Sequence, residues 1–232
     1  MAVGCKRIDT LTMTLENRKA RIGERLKKHG ITDNPITFLP YLEFNPSDFA
    51  TPYEVGCRIM ILYALIYTIE EPSKKQGIIR WIKNEEIWEH VSAAEISYLE
   101  ADEVSQEQIN ELSWQLEAAY ILAWALNLVE NRPSPSSQVG DDEMEDFFNH
   151  VPALGDSLSD FLNQLAFRDT EEIFEENIFY ELTTAYFRDL LFNGKDDTTD
   201  INRGAAFQRH FALNWLRRFS DSKDWDETDT ST

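Results

Sequence analysis

The chain has few of the residues on which metal and redox chemistry depends. Its 232 residues include two cysteines, Cys5 and Cys57, and four histidines that stand apart from one another. The cysteines have no CxxC spacing and no histidine has an HxxxH or HExxH neighbour, which excludes a disulfide framework and the common zinc motifs. We therefore expect a reduced protein with no metal and no cofactor.

The motifs of phosphate binding and serine hydrolysis are also missing. No GxxxxGK[ST], GxGxxG or GxSxG segment is present, so neither a phosphate loop nor a hydrolase elbow is indicated. The longest apolar run, 55–67, is interrupted by Arg58 and is too short to span a bilayer. These absences predict no catalytic class and favour a cytoplasmic location without membrane association.

Positive charge is scarce and unevenly distributed. There are 22 basic against 42 acidic residues, for a net charge of −20, which disfavours nucleic acids and anionic membranes as partners. Residues 1–30 are rich in basic side chains, whereas 141–200 are rich in acids. The first interpretation is a basic helix that lies on an acidic body. The second is an acidic face for a basic protein partner, formed by Asp141, Asp142, Glu143, Glu145, Asp146, Glu171, Glu172 and Glu175.

Helical patterns and their start signals cover nearly the whole chain. Thr51-Pro52-Tyr53-Glu54 is a capping box with proline at the first helical position, and the helix that follows is apolar on nearly every face. A second long helix is predicted over 105–129. We expect an all-α, single-domain, bundle-like fold over 1–232 around helices 52–70 and 105–129. Flexible ends are predicted at 1–10 and 221–232, and a loop at 131–140.

The remaining helices follow from the same spacing rules. Ser92 with Glu95 and Ser105 with Gln108 repeat the capping-box pattern, and Gly30 is placed to end the first helix. The predicted helices cover 73–84, a segment from Ser92, 141–149, 157–167, 170–193 and 202–219.

Two charged side chains lie in apolar helix faces. Glu117 shares a face with apolar residues of the second long helix, and Arg58 lies among Val55, Ile59 and neighbouring apolar side chains. Because an unpaired buried charge is costly, we expect both to be paired, and we predict that they meet each other across the core. The pair is interpreted as structural, or alternatively as the anchor of a ligand cleft.

A polar cluster is predicted on the last helix. Arg209, His210 and Asn214 lie within about one and a half turns, where asparagine can orient an imidazole and arginine can bind an anion. No cysteine or serine nucleophile accompanies them, so a satisfied histidine is the favoured interpretation. Trp225 is expected to fold back onto the body, with Asp224 and Asp226 solvated or paired with arginines of the last helix.

Several motifs are shared with one bacterial family. They are SWQLEA at 113–118, WAL at 124–126, RHFALNWL at 209–216, DWDETDT at 224–230 and TPYEVGCR at 51–58. On these motifs the chain resembles the family catalogued as domain of unknown function 4272, over most of its length. The resemblance implies a shared core and no activity, since none is established for the family. Gln208 departs from the glutamate expected before the arginine.

Two classes of function follow from these observations. The leading one is a non-catalytic binding or protein-interaction module, with an immunity-type protein that neutralises a basic toxin as one specific form. The alternative is an enzyme or small-ligand binder that uses a cleft near Glu117 and Arg58, or near Arg209, His210 and Asn214. The sequence indicates no oligomeric state.

Overall fold

The fold is all-α, as the sequence predicts. The computed structural model describes residues 14–32, 45–219 and 222–231, and these contain helices and loops but no strand. The helices are α1 (Leu15–Lys28), α2 (Pro52–Glu70), α3 (Lys75–Asn84), α4 (Ala93–Glu100), α5 (Gln106–Ser113), α6 (Gln115–Ala125), α7 (Asp141–His150), α8 (Ser159–Gln164), α9 (Thr170–Asn193) and α10 (Arg203–Arg217).

Local start signals determine where three of these helices begin. Each predicted capping box has both of its hydrogen bonds. The hydroxyl of the capping serine or threonine accepts a hydrogen bond from the backbone N–H of the residue three positions later. The side chain of that residue accepts a hydrogen bond from the backbone N–H of the capping residue. The three pairs are Thr51–Glu54, Ser92–Glu95 and Ser105–Gln108.

Gly30 ends α1, as predicted. Its φ of +94° is a conformation that side chains disfavour. The N–H of Ile31 then reaches back to the carbonyl of Leu26 at 3.0 Å, which satisfies one of the last carbonyls of the helix. Both side chains are buried, so the turn also directs Ile31 into the core.

The helix predicted over 105–129 is two helices. At Trp114 the backbone N–H bonds to Glu111 three residues earlier, and Glu117 bonds to Trp114 in the same tight pattern, so α5 ends and α6 begins there. The Trp114 ring lies against Gly204 of α10, where a β-carbon would be only 2.5 Å from its Cη2 atom. The break between α5 and α6 therefore coincides with tertiary packing of the Trp114 ring. The apolar periodicity of the sequence does not predict this break.

The core is a series of packed helices. α6 packs between α2 and α10, α10 packs on α9, and α1 covers α9. The apolar helices α2 and α6 are buried, as predicted. The inner half of α9, from Ile173 to Thr184, is equally buried, so the core extends beyond the two helices that the sequence indicates.

The flexibility expected of the two chain ends, 1–10 and 221–232, stays a prediction. Residues 1–10 lie outside the described residues, but 222–231 lie against the body. Trp225 is only 4% exposed, and its ring contacts those of Phe211 and Trp215 at centroid distances of 4.8 and 5.3 Å. The expected docking of Trp225 is confirmed, whereas Asp226 accepts the Ala94 N–H at 2.9 Å instead of pairing with an arginine.

Two helices are shorter than predicted. α8 covers Ser159–Gln164 within the predicted 157–167, and α10 covers Arg203–Arg217 within 202–219. The segment 131–140 is a loop, as expected.

Two glycine substitutions test the close approach of α10 to Trp114. Gly204→Ala should lower the free energy of unfolding by about 1–2 kcal/mol, because the new methyl group overlaps the indole ring. Gly23→Ala on α1 is the matched control, since nothing lies within 4 Å of its β-carbon position. It should raise stability by about 0.5–1 kcal/mol through helix propensity. Urea unfolding of both variants measures the difference, and equal effects would contradict the packing.

Candidate functional site

A buried arginine on α10 joins three helices and one loop. Arg209 donates Nε–H and Nη2–H to Glu117 Oε2 on α6, at 2.9 and 2.6 Å. Its remaining N–H groups reach Tyr180 Oη on α9 at 3.1 Å and the carbonyls of Ser134 and Ser137 at 2.7 and 3.0 Å. All five guanidinium donors therefore have acceptors, which is the condition under which a buried charge is tolerated.

The loop 131–140 is held by this ion pair. Besides the two carbonyls that Arg209 binds, Glu117 Oε1 accepts the Val139 N–H at 2.8 Å. On the other side of the loop, the Pro135 carbonyl accepts the N–H of Asn202, the capping residue of α10, at 2.9 Å. The pair thus has a structural role in which every guanidinium donor of Arg209 is used within the protein.

The predicted pairing of Arg58 with Glu117 is wrong. Arg58 Nη1 donates to both carboxylate oxygens of Glu95, at 2.7 and 2.8 Å, and Nη2 donates to the carbonyl of His90. Glu95 also forms the capping box of α4 with Ser92, and its side chain is buried. Apolar periodicity identifies which charges point inward, but the choice of partner depends on the packing of separate helices.

The predicted cluster of Arg209, His210 and Asn214 is divided in the fold. His210 Nδ1 lies 2.9 Å from Thr184 Oγ1 on α9. Asn214 accepts a hydrogen bond from Asn177 at 2.6 Å and donates one to the carbonyl of Asp229 in the C-terminal segment at 2.8 Å. Neither residue shares a partner with Arg209, so no single anion site forms from the three.

The protonation of His210 follows from its partners. The Thr184 hydroxyl donates to the Glu181 carbonyl at 3.0 Å, so we assign the imidazole proton to Nδ1, which donates to Thr184. Nε2 is buried and has no hydrogen-bond partner within the described residues. Burial, with Arg188 and Arg217 nearby, lowers the pKa of His210 to about 3. The imidazole is therefore neutral at neutral pH, and its free nitrogen has no access to a substrate in solution.

Glu181 is a buried carboxyl that the sequence reasoning missed. It is 1% exposed, and neither carboxyl oxygen has a hydrogen-bond partner among the described residues. Burial raises the pKa of Glu181, opposed by Arg217 and Arg188. A pattern in the sequence indicates such a residue. A polar stripe runs along the predicted helix 170–193 at helix spacing, formed by Asn177, Glu181, Thr184 and Arg188.

The acids at the start of α9 are neutralised within the chain by α1 and nearby arginines. Four ion pairs join them: Arg18 with Glu171, Arg21 with Glu175 at 2.8 Å, Arg25 with Glu176, and Arg168 with Glu172 at 3.6 Å. Arg132 adds a second partner for Glu176 at 2.9 Å. The preferred interpretation, a basic first helix on an acidic body, describes this arrangement. Glu171, Glu172 and Glu175 are consequently half-buried or buried and already paired.

The acids of α7 have a different environment. Asp141, Asp142 and Glu145 are exposed, whereas Glu143 and Asp146 are half-buried. Glu143 accepts the Gly140 N–H at 3.0 Å, and negative charge in the first turn suits the helix dipole.

The described residues offer little for covalent or metal chemistry. Cys57 is a free, buried thiol whose pKa is raised to about 12 by burial, so it is not a nucleophile at neutral pH. No group of three or more potential metal ligands occurs in the part of the chain that the structure describes. Over the same residues, no helix is long and apolar enough to cross a membrane.

A double-mutant cycle tests the reassigned pairs. Combining Glu117→Gln with Arg209→Met should give a coupling energy of about 1–3 kcal/mol, because the two groups share hydrogen bonds in the core. The control cycle combines Glu117→Gln with Arg58→Met and should be additive within about 0.5 kcal/mol. Urea unfolding of the single and double variants gives both values. A larger coupling in the control cycle would restore the pairing predicted from sequence.

The buried imidazole predicts a pH dependence of stability. The unfolded chain binds a proton at His210 below about pH 6.5, whereas the folded protein resists protonation down to about pH 3. The free energy of unfolding should therefore fall as pH decreases through this window, by up to about 1.4 kcal/mol per pH unit. His210→Asn retains a donor toward Thr184 and should reduce this fall. Urea unfolding between pH 7 and pH 4 measures it, and equal slopes for both proteins would contradict the assignment.

Comparison with known proteins places the chain in a family. Neither the curated proteins nor the solved structures contain a match. A family model described as a domain of unknown function, DUF4272, matches residues 18–228. This range includes the ion pairs of α1 with α9, the Arg209–Glu117 pair and the docked Trp225. The chain therefore belongs to the DUF4272 family, as its motifs predict.

Proposed function

We propose that this protein is a non-catalytic binding protein that recognises a basic protein partner through an acidic surface on α4 and α5. This surface, the α4–α5 surface, is formed by five exposed carboxylates: Glu100, Asp102, Glu103, Glu107 and Glu111.

The charge pattern of the central part of the chain supports this proposal. Between Lys83 and Arg132 the sequence has eleven acidic residues and no lysine or arginine. The five carboxylates of the α4–α5 surface make no ion pair within the described residues, although Lys75 lies close enough to attract Asp102. Unpaired charge of one sign attracts an oppositely charged partner over a distance and accelerates its association.

The proposed surface lies on α4 and α5, whereas the sequence suggests an acidic face formed by acids of 141–146 and 171–175. The acids at 171–176 are paired with arginines of the same chain, so they offer little charge to a partner. Asp141, Asp142 and Glu145 of α7 remain exposed and form a second, smaller acidic region. The α4–α5 surface has no such internal neutralisation, and this is the observation that carries the proposal.

Two grooves with both apolar and polar lining residues border the α4–α5 surface. One groove, of about 180 Å³, is lined by Tyr98, Leu112 and Trp225 among others. A second, of about 370 Å³, also includes Tyr98 together with Val104 and Ile109. Protein interfaces combine an apolar centre with a charged rim in this way.

An immunity-type role is one specific form of this proposal, in which the acidic surface neutralises a basic toxin. We place the protein in the cytoplasm, where a free thiol such as that of Cys57 remains reduced. Enzymatic activity has no support from the buried polar groups described above, because their free atoms are inaccessible to a substrate.

Native mass spectrometry of the tagged protein from its own host tests the proposal. We expect a retained basic protein that dissociates when salt rises from about 0.1 M to about 1 M, which shortens the Debye length from about 10 Å to about 3 Å. The triple variant Glu103→Lys, Glu107→Lys and Glu111→Lys should lose this partner. The variant Asp141→Lys, Asp142→Lys and Glu145→Lys changes net charge equally and should retain it. Absence of a basic partner, or loss in both variants alike, would contradict recognition by the α4–α5 surface.

A further inference from the structure

The C-terminal end of α9 presents two large apolar side chains to solvent. Among the described residues, Leu191 and Phe192 are 80% and 87% exposed, whereas the next most exposed large apolar side chain, that of Phe207, is 44% exposed. Apolar side chains scattered singly on a surface are common and need no partner. Here two of them are adjacent and almost fully exposed, so a partner that covers both gains the free energy of burying them.

The last turn of α9 is held by hydrogen bonds. Asn193 Nδ2 donates to the carbonyl oxygen and to Oδ1 of Asp189, at 3.0 and 2.7 Å. The chain then leaves the helix through Gly194, which has a φ of +58°, and the Lys195 N–H returns to the Leu190 carbonyl at 2.9 Å. The helix end is therefore capped, and its two exposed apolar side chains are presented from an ordered turn.

Neighbouring rings extend this apolar surface onto α10. The guanidinium carbon of Arg203 lies 4.9 Å from the centre of the Phe187 ring, which joins the two helices at this point. Leu191 follows Phe187 by one turn of α9, and Phe207 follows Arg203 by one turn of α10, so each lies beside its predecessor on the helix surface. We define the α9-end patch as Phe187, Leu191, Phe192 and Phe207.

The charges around the α9-end patch have both signs and are nearly balanced. Lys195 Nζ lies 3.1 Å from Asp189 Oδ2, and Arg203 Nε lies 3.1 Å from Asp197 Oδ2. Over 186–207 the sequence has three basic and four acidic residues, although the whole chain has a net charge of −20. Two copies of so acidic a chain repel each other, and they can approach most easily where the local charge is close to zero. A surface with both signs can also face itself, which a surface of one sign cannot.

The area of the α9-end patch fits a weak dimer. A large aromatic side chain buries about 150–250 Å², so Leu191, Phe192 and Phe207 together offer about 400 Å² of apolar surface on each copy. Two patches supply roughly 800 Å², and a polar rim must add the rest of the about 1,200–2,000 Å² that specific interfaces bury. When the same patch of both copies meets about a two-fold axis, the assembly closes at two copies.

We propose that two copies of this chain associate through their α9-end patches as a symmetric dimer. The apolar side chains of the patch form the centre of the interface, and the paired charges around it form the rim. The patch shares no residue with the α4–α5 surface. Either inference can therefore fail without the other.

Sedimentation velocity of the full chain measures this association. We expect a species of twice the 27.0 kDa chain mass, with a Kd on the order of 10–100 μM. Raising the salt concentration from about 0.1 M to about 0.5 M should preserve or strengthen the dimer, because salt screens the repulsion between two acidic chains. A basic partner of the α4–α5 surface should respond in the opposite way. A monomer at every concentration up to about 500 μM, or assemblies that grow beyond two copies, would overturn the proposal.

Two variants assign the dimer to the α9-end patch. Leu191→Ser combined with Phe192→Ser removes most of the exposed apolar surface without a change of charge, and it should weaken association at least about 100-fold. Leu15→Ser on α1 removes an apolar side chain that is 42% exposed, and this matched control should dimerise normally. Circular dichroism checks that both variants are folded.

The other possible occupants of the patch give different results. A dimer that persists in the folded double variant would overturn the proposal. It would also be overturned if native mass spectrometry found a different protein on the unmodified chain and not on the double variant. Binding to neutral phosphatidylcholine vesicles that only the double variant loses would assign the patch to a membrane surface instead.

Discussion

The guanidinium of Arg209 is the constraint on which the rest of the structure depends. It lies where α6, α9 and α10 meet, and its five donors are shared among Glu117, Tyr180 and the loop 131–140. A charge in this position is tolerable only if Glu117 and the loop 131–140 occupy one arrangement. Burial raises the pKa of Tyr180 to about 12, so this hydroxyl also keeps its proton and a fixed role in the network. The ion pair thus specifies how the helices and the loop fit together.

Many acidic side chains are likewise paired with arginines of the same chain. The net charge of −20 suggests an acidic exterior throughout, yet the start of α9 is balanced by arginines of α1, and Glu95 is balanced by Arg58. The five carboxylates of the α4–α5 surface and the exposed acids of α7, Asp141, Asp142 and Glu145, make no ion pair within the described residues.

The sequence predicts those features of the fold that depend on residues close together in the chain. The capping boxes at Thr51, Ser92 and Ser105 and the bounds of α9 depend on residues a few positions apart, and they are confirmed. The inward direction of Arg58 and Glu117 follows from periodicity. The partners of these two side chains do not follow from periodicity. Arg58 pairs with Glu95 and Glu117 pairs with Arg209, and each partner lies on another helix that is distant in sequence. The break at Trp114 likewise accompanies a contact with Gly204 that no local pattern contains.

Hydrogen exchange measured by mass spectrometry tests the central role of Arg209 most directly. In Arg209→Lys the fork that binds Glu117 and two loop carbonyls is lost, while the positive charge is preserved. We predict faster exchange in the loop 131–140, above all at the Val139 amide bonded to Glu117, and at the start of α10. Exchange in α3, whose side chains bond Tyr98, Ala101 and Asp156 and not this network among the described residues, should be unchanged. Unaltered protection of the loop in this variant would show that Arg209 does not hold it.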